Sequence, residues 1–232
     1  MSIITVERKI LEKNDAIAAR NREWFARRGM FALNLVSSPG AGKTALLERT
    51  LERWSPPPGI AIVEGDVQTD LDARRVARYG VPVVQIVTNG GCHLEAPLVA
   101  DALARLEPGG AGIVIIENVG NLVCPAGFDL GEHLKVVVLS VTEGDDKPLK
   151  YPAMFRNAGV MVVNKVDLLP HVPCDIAALR ESALAVNPGL VILETSAQTG
   201  EGVDAWVAWL RAGALAARGD APRVAATASG TR

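Results

Sequence analysis

Phe31-Ala-Leu-Asn-Leu-Val-Ser37-Ser-Pro-Gly-Ala-Gly-Lys-Thr44 decides the fold. Its first half is an apolar run of strand length, and from Ala45 onward the pattern turns helical. A Gly-rich loop ending in Lys-Thr between strand and helix matches the phosphate-binding pattern G-x-x-x-x-G-K-[ST]. Gly42, Lys43 and Thr44 fit, while Ser37 stands where the first glycine is expected. Gly40 and Gly42 let backbone N–H groups converge on phosphate oxygens without an obstructing Cβ. The loop residues Ser38, Pro39, Gly40, Ala41, Gly42, Lys43, Thr44 and Ala45 are therefore expected to cradle a nucleoside triphosphate at the positive end of the helix. In that arrangement Lys43 reaches the β- and γ-phosphates, and the Thr44 hydroxyl ligates Mg²⁺.

Outward from this loop the chain alternates. Near-continuous apolar runs at 59–64, 81–87, 112–117, 134–141, 160–164 and 190–195 join 31–37 as seven expected strands buried on both faces. Helical patterns occupy 44–54, 70–79, 94–106, 175–186 and 203–217. The expected fold is α/β, a mostly parallel seven-stranded sheet with helices on both faces, whose ligands sit beyond the carboxyl ends of the strands. Residues 1–29 form an N-terminal extension in which Ile10, Leu11, Ala16, Ile17, Trp24 and Phe25 predict an amphipathic helix packed on the domain. Residues 30–218 form the nucleotide domain, and 219–232, rich in Ala, Gly, Ser and Thr, read as a flexible tail.

After the sixth strand comes Asn164-Lys-Val-Asp167, and after the seventh Ser196-Ala-Gln-Thr-Gly200. Guanine offers N1–H and its 2-amino group side by side, and one carboxylate, Asp167, can accept from both; adenine has no such pair. Asn164 would brace the loop, the Lys165 stem would cover the ring, and the Ala197 N–H in the Ser196-Ala197 turn would meet O6. These segments resemble the guanine-specificity motifs of GTPases. For Mg²⁺ and the attacking water, Asp66 at the end of the second strand is the first outer-shell candidate. Asp70 or Asp72 would position the nucleophile or switch with the γ-phosphate, although Asp70 also suits a helix N-cap. Glu117-Asn-Val-Gly120 stands where many GTPases carry D-x-x-G, so Glu117 would face the metal and Gly120 the γ-phosphate. No glutamine follows Gly120, which predicts slow intrinsic turnover.

Cys92-His93 follows the third strand and Cys124 the fourth. Thiolate and imidazole suit Zn²⁺ or Ni²⁺, and three ligands in one chain leave a tetrahedral site that a two-fold related copy would complete. Inert packing thiols remain the alternative at this point. Composition excludes much else. Of 232 residues 49% are hydrophobic and 22% charged, as in a folded globular chain. With 24 Lys plus Arg against 26 Asp plus Glu, the net charge of -2 argues against sequence-blind nucleic-acid binding. No apolar stretch has membrane-spanning length, and the N-terminus lacks a secretory h-region, so the expectation is a cytoplasmic protein. Three cysteines cannot close a disulfide framework.

Taken jointly, Ser38-Pro-Gly-Ala-Gly-Lys-Thr, Glu64-Gly-Asp-Val-Gln-Thr-Asp, Gly91-Cys-His-Leu-Glu-Ala, Glu117-Asn-Val-Gly-Asn-Leu-Val-Cys-Pro and Asn164-Lys-Val-Asp-Leu-Leu-Pro closely resemble the HypB family of hydrogenase nickel-incorporation GTPases. Phe128-Asp-Leu-Gly-Glu and Lys147-Pro-Leu-Lys-Tyr-Pro-Ala-Met-Phe look like further family segments. The resemblance implies a GTPase domain of the SIMIBI class, dimerising with GTP and metal, that helps deliver nickel to the large subunit of [NiFe]-hydrogenase. It places the family's metal ligands on Cys92, His93 and Cys124 and its dimer contact at Leu168, Leu169 and Val172. Implied partners are the nickel metallochaperone HypA and, in some organisms, a nickel-storing or proline-isomerising protein. Some members carry an N-terminal cysteine motif or a histidine-rich tract. Here no cysteine precedes Cys92 and no histidine precedes His93, so the interfacial site is the one expected to take metal. The related urease nickel GTPase is the alternative within the class, but its Cys-Pro-His motif is replaced here by Cys-His. A nickel-binding scaffold with GTP as structural ligand is the other alternative, and intact Lys43, Thr44, Asp66 and Glu117 speak against it.

Overall fold

The computed structural model describes residues 6–55 and 58–219. Seven strands, β1 (Phe31–Ser37), β2 (Gly59–Asp66), β3 (Val83–Val87), β4 (Ala111–Glu117), β5 (Leu134–Ser140), β6 (Ala158–Asn164) and β7 (Val191–Glu194), form one sheet in the order β3-β2-β4-β1-β5-β6-β7. Every adjacent pair is parallel. The expected α/β architecture is what the chain adopts. The helices are α1 (Val6–Arg27), α2 (Lys43–Arg53), α3 (Leu71–Ala77), α4 (Ala96–Arg105), α5 (Lys147–Lys150), α6 (Pro152–Arg156), α7 (Ile176–Val186) and α8 (Val203–Ala217).

Strand periodicity sorts the core onto two faces. Leu33 and Leu35 of β1 pack with Leu46 and Leu47 of α2 and with Trp206 and Leu210 of α8. The opposite face is covered in two parts. Ala32, Val63, Val114 and Ile116 meet Phe25 of α1 and Val99 and Leu103 of α4, while Val137, Leu139 and Val163 meet Phe155 of α6 and Leu179 of α7. Trp206 is fully buried, and its indole N–H donates to Thr50 Oγ1 at 3.0 Å, so the largest core side chain leaves no unpaired polar atom.

The strand boundaries differ from the sequence pattern for local reasons. β5 stops at Ser140 rather than 141 because Ser140 and Glu143 close a capping box on the short 3₁₀ turn Val141–Glu143. β3 begins after Pro82 rather than at Val81, and β2 runs on to Asp66 rather than ending at Glu64. Helices α5 and α6 were not expected from the pattern. Each is very short and carries a proline in its first turn, a position that suits a helix start but reads as a break.

Helix α1 packs on the domain through a stripe that differs from the one its apolar residues trace. Its buried residues are Asn14, Ala18, Asn21 and Phe25; Leu11, Ile17 and Trp24 are half-buried, and Ala16 is exposed. The Ile10 side chain lies outside the described residues. Asn14 Oδ1 accepts from Ala96 N at 2.8 Å, and Asn21 Nδ2 donates to Ala96 O at 3.0 Å and Leu130 O at 2.9 Å. Two asparagines thus bolt α1 to the start of α4. Apart from Gly219, the expected tail lies outside the described residues. Among the described residues no helix is long and apolar enough to cross a membrane.

Candidate functional site

The carboxyl ends of β1, β2 and β4 open onto a cavity of about 550 Å³ between the 38–45 loop, Glu64, Asp66, Glu117 and Gly120. Gly40 and Gly42 adopt φ of 77° and 99°, the left-handed region that side chains disfavour. At Gly42 a Cβ would come within 2.5 Å of Asn164 Nδ2, so glycine there is also demanded by the neighbouring loop. Gly120 rests on the same loop, where a Cβ would lie 3.1 Å from Pro39 Cα. Ser37 ends β1 in ordinary strand conformation and needs no glycine. Its Oγ receives the Lys43 ammonium at 2.9 Å.

Lys43 Nζ is also 4.0 Å from Glu117 Oε1, which accepts the Thr44 hydroxyl at 2.8 Å. Beside Glu117 lies a second carboxyl, to which the sequence motifs assign no role. Glu64 is its direct partner across the β2–β4 ladder, and both are buried. Neither Glu64 Oε2 nor Glu117 Oε2 receives a hydrogen bond from any N–H or O–H donor of the described residues. Burial, then the adjacent Glu117 carboxylate, push Glu64 up to about 11; burial also raises Glu117, against the pull of Lys43. The pair therefore holds a proton at neutral pH. The implied Mg²⁺ fits this wall, since hard oxygen donors lacking partners beside the phosphate loop are what such a cation takes.

The aspartates divide. Asp66 lines the cavity, with its carboxylate held by Thr69 Oγ1 at 2.6 Å and Gln68 N at 3.3 Å. Partial burial opposes ionisation, but those hydrogen bonds keep its pKa below the ordinary value. Asp72 also lines the cavity and binds Arg75 at 2.9 Å. Asp70 does not line it: it precedes α3 at the N-cap position, makes no side-chain cap, and bonds Arg74 Nε at 2.8 Å.

Glu64 carries a pH prediction. The folded chain keeps its proton up to about 11 while the unfolded chain releases it near 4.5, so the folded state binds more protons between those values. Stability of the ligand-free protein therefore falls as pH rises through that window. Glu64→Gln, which mimics the protonated acid, is expected to flatten this part of the slope in thermal melts recorded between about pH 5 and 9. Parallel profiles for variant and parent would contradict it.

A second cavity, about 280 Å³, adjoins the first at Gly42, Ala45 and Lys165 and reaches Asp167, Ala197 and Gln198. Asn164 braces it: Nδ2 donates to Ala41 O at 3.0 Å, and Oδ1 accepts from Ala197 N at 3.1 Å and Thr195 Oγ1 at 3.3 Å. Lys165, with φ 64°, sends Nζ to Gly40 O at 2.7 Å. The Ser196 Oγ accepts Thr199 N at 3.0 Å and so shapes the turn. Asp167 Oδ1 is buried without a partner in the described residues, an acceptor awaiting donors. Leu168, Leu169 and Val172 pack half-buried against the core around Val166 and Leu179.

Strand order brings the third cluster together. β3 and β4 flank β2, so the loops after them meet, and the ligand atoms of Cys92, His93 and Cys124 all lie within 4.8 Å of one another. Cys92 Sγ is 3.4 Å from His93 Nδ1, the imidazole packs on Phe128, and Asn121 Nδ2 ties the loops by donating to Cys92 O at 3.3 Å. Burial holds the His93 imidazole below its ordinary pKa and hence neutral, with Glu95 pulling the other way. The neighbouring Cys124 sulfur, then burial, push the Cys92 thiol up. Two sulfurs and a neutral imidazole form a borderline-soft set that suits Ni²⁺ or Zn²⁺, and metal binding there would release thiol protons. Outside it, His133 Nδ1 accepts Ala32 N at 3.0 Å, and Cys174 packs against the core.

The profile described as CobW/HypB/UreG, nucleotide-binding domain, matches residues 31–194. The hydrogenase maturation factor HypB of Azotobacter vinelandii is 53% identical over 229 residues, covering 97% of this chain and 76% of that protein. The crystal structure of HypB from Helicobacter pylori in complex with nickel is similar with a TM-score of 0.83 and 36% identity, over 87% of this chain and 95% of that one. HypB from Archaeoglobus fulgidus gives a TM-score of 0.81 and 40% identity, over 87% and 98%. With a family model matched over most of its length and a relative 53% identical over 97% of it, the chain belongs to the HypB family of hydrogenase maturation factors.

Proposed function

We propose that this chain hydrolyses GTP and uses the nucleotide cycle to hand nickel to a [NiFe]-hydrogenase under maturation. Ser38 to Ala45 hold the phosphates, with Lys43 on the β- and γ-oxygens and the Gly120 N–H on the γ-phosphate. Thr44 and Glu117, supported by Asp66 and by Glu64 as an additional carboxyl, would hold Mg²⁺, which would supply positive charge against the phosphate oxygens. Asp72, at the cavity edge, is better placed than Asp70 to orient the attacking water. Asn164, Lys165, Asp167, Ser196 and Ala197 form the guanine pocket. Without a glutamine after Gly120, intrinsic turnover is slow.

Nickel is cargo in this reading. Cys92, His93 and Cys124 supply three ligands, and a second copy of the chain, meeting it with nucleotide bound and through contacts that include Leu168, Leu169 and Val172, completes the coordination. The metallochaperone HypA and the hydrogenase large subunit or its maturation complex are the partners, in the cytoplasm. The observation that carries the reading is the convergence of those ligand atoms within 4.8 Å, with Cys124 on the same loop as Gly120. Sedimentation equilibrium tests it. Wild type with a non-hydrolysable GTP analogue and Ni²⁺ should double in mass, whereas Cys92→Ala should lose the metal-dependent part of that shift. A wild-type mass unmoved by both ligands would defeat the proposal.

A further inference from the structure

One buried side chain touches both the loop that leads to Gly120 and the loop that carries His93. Asn118, the residue after β4, is 1% exposed. Its carboxamide oxygen accepts two amides, Val119 N at 3.0 Å and Leu94 N at 3.0 Å. The first belongs to the residue before Gly120, the second to the residue after His93. Its own amide is fixed to the sheet, because Asn118 N donates to Leu35 O at 2.9 Å.

The carboxamide cannot turn freely. Nδ2 donates to Asn34 Oδ1 at 3.1 Å, and Asn34 Nδ2 donates to Glu132 Oε1 at 3.2 Å. Glu132 is anchored in turn by the Lys135 ammonium at 3.0 Å and the Leu130 amide at 2.6 Å. Such a buried chain, in which each carboxamide nitrogen and oxygen has a partner, favours one orientation, because flipping a carboxamide sets donor against donor. Leu94 is equally constrained. Its side chain is fully buried against Gly65, where a Cβ would sit 2.8 Å from Leu94 Cδ1, so residue 65 must lack a side chain for Leu94 to pack there.

We propose that Asn118 is the positioning residue that couples the γ-phosphate loop to the metal loop. The inference rests on the nucleotide-linked nickel binding proposed above. A phosphate that draws in the Gly120 amide displaces Val119 against a shared acceptor, and the same oxygen transmits the displacement to Leu94 and hence to His93 and Cys92. Neither loop can then take its nucleotide-bound arrangement alone. Such coupling is a ratio of affinities and is reciprocal.

The test is nickel titration of the full chain with saturating GDP and with a saturating non-hydrolysable GTP analogue. Wild type should show nickel affinities that differ by about 5-fold or more between the two nucleotides. In Asn118→Ala the ratio should collapse toward one, a readout that a uniform loss of stability would not move. A ratio that persists in the variant overturns the role of Asn118 while leaving the nucleotide-linked function standing. Equal affinities in wild type would overturn that function, and the coupling role with it. Should Asn118→Ala fail to fold, residue-resolved amide exchange on metal-free wild type decides. Leu94 and Val119 must change protection together between the two nucleotides, and a change at Val119 with Leu94 unmoved refutes the coupling.

Discussion

Asp167→Asn is expected to invert the base preference of this protein. The Asp167 Oδ1 atom is buried in the cavity beside Lys165 and Ala197 and has no partner among the described residues. A carboxylate there gains two charge-assisted hydrogen bonds from N1–H and the 2-amino group of guanine, each worth about 1.5–3 kcal/mol. Asparagine keeps an acceptor for N1–H but turns an N–H toward the 2-amino group, so two donors face each other. The loss for GTP should be about 10²–10⁴-fold in affinity. Xanthosine triphosphate carries an oxygen at position 2, which the same asparagine N–H satisfies, so its affinity should rise. Competition of both nucleotides against a fluorescent GDP reads the swap directly. Equal weakening toward both would mean that Asp167 shapes the loop without reading the base.

What could be read without coordinates follows from how local the signal is. Strand β1, the 38–45 loop and α2 are contiguous, and their apolar run, glycines and Lys-Thr state one consistent structure. α8 likewise runs from 203 to 217 as its pattern predicts. The Cys-His and Cys124 loops were recognisable as donor-bearing, but their approach depends on β3 and β4 both lying beside β2, a relation no local pattern encodes. Buried polar residues were the hardest to read. Glu64 sits in Ile-Ala-Ile-Val-Glu-Gly, and an acid at the end of so apolar a strand was the available signal for its pairing with Glu117. Asn14 and Asn21 fall at the helical spacing of α1, yet as polar residues they were left off its packing face. Their partners, Ala96 and Leu130, are distant in sequence. Asn34 and Asn118 escaped for the same reason: the hydrogen bonds that make an asparagine structural are tertiary, and composition counts it as surface.

Lys43→Ala should reduce single-turnover GTP hydrolysis by about 10²–10³-fold, the range seen when one preorganised donor to a developing anion is removed. In the proposed reading the lysine does more than supply a charge to the phosphates. It is the cation beside Glu117, whose carboxyl burial already raises, and it lowers that carboxyl toward ionisation. Without it the Glu64–Glu117 pair holds its proton more tightly, and Mg²⁺ must compete with that proton for the same oxygens. The defect should therefore shrink with increasing Mg²⁺ and with increasing pH, because both favour the deprotonated pair. The missing phosphate contact itself is not restored by either. Rapid-quench measurement of phosphate release across a Mg²⁺ series at two pH values separates the parts. A deficit independent of both would assign Lys43 to the phosphates alone, and an unchanged rate would remove it from catalysis. Nickel binding by nucleotide-free protein is the internal control, since Lys43 bonds Ser37 and pairs with Glu117, and among the described residues no hydrogen bond or ion pair joins it to Cys92, His93 or Cys124, which should bind the metal as in wild type.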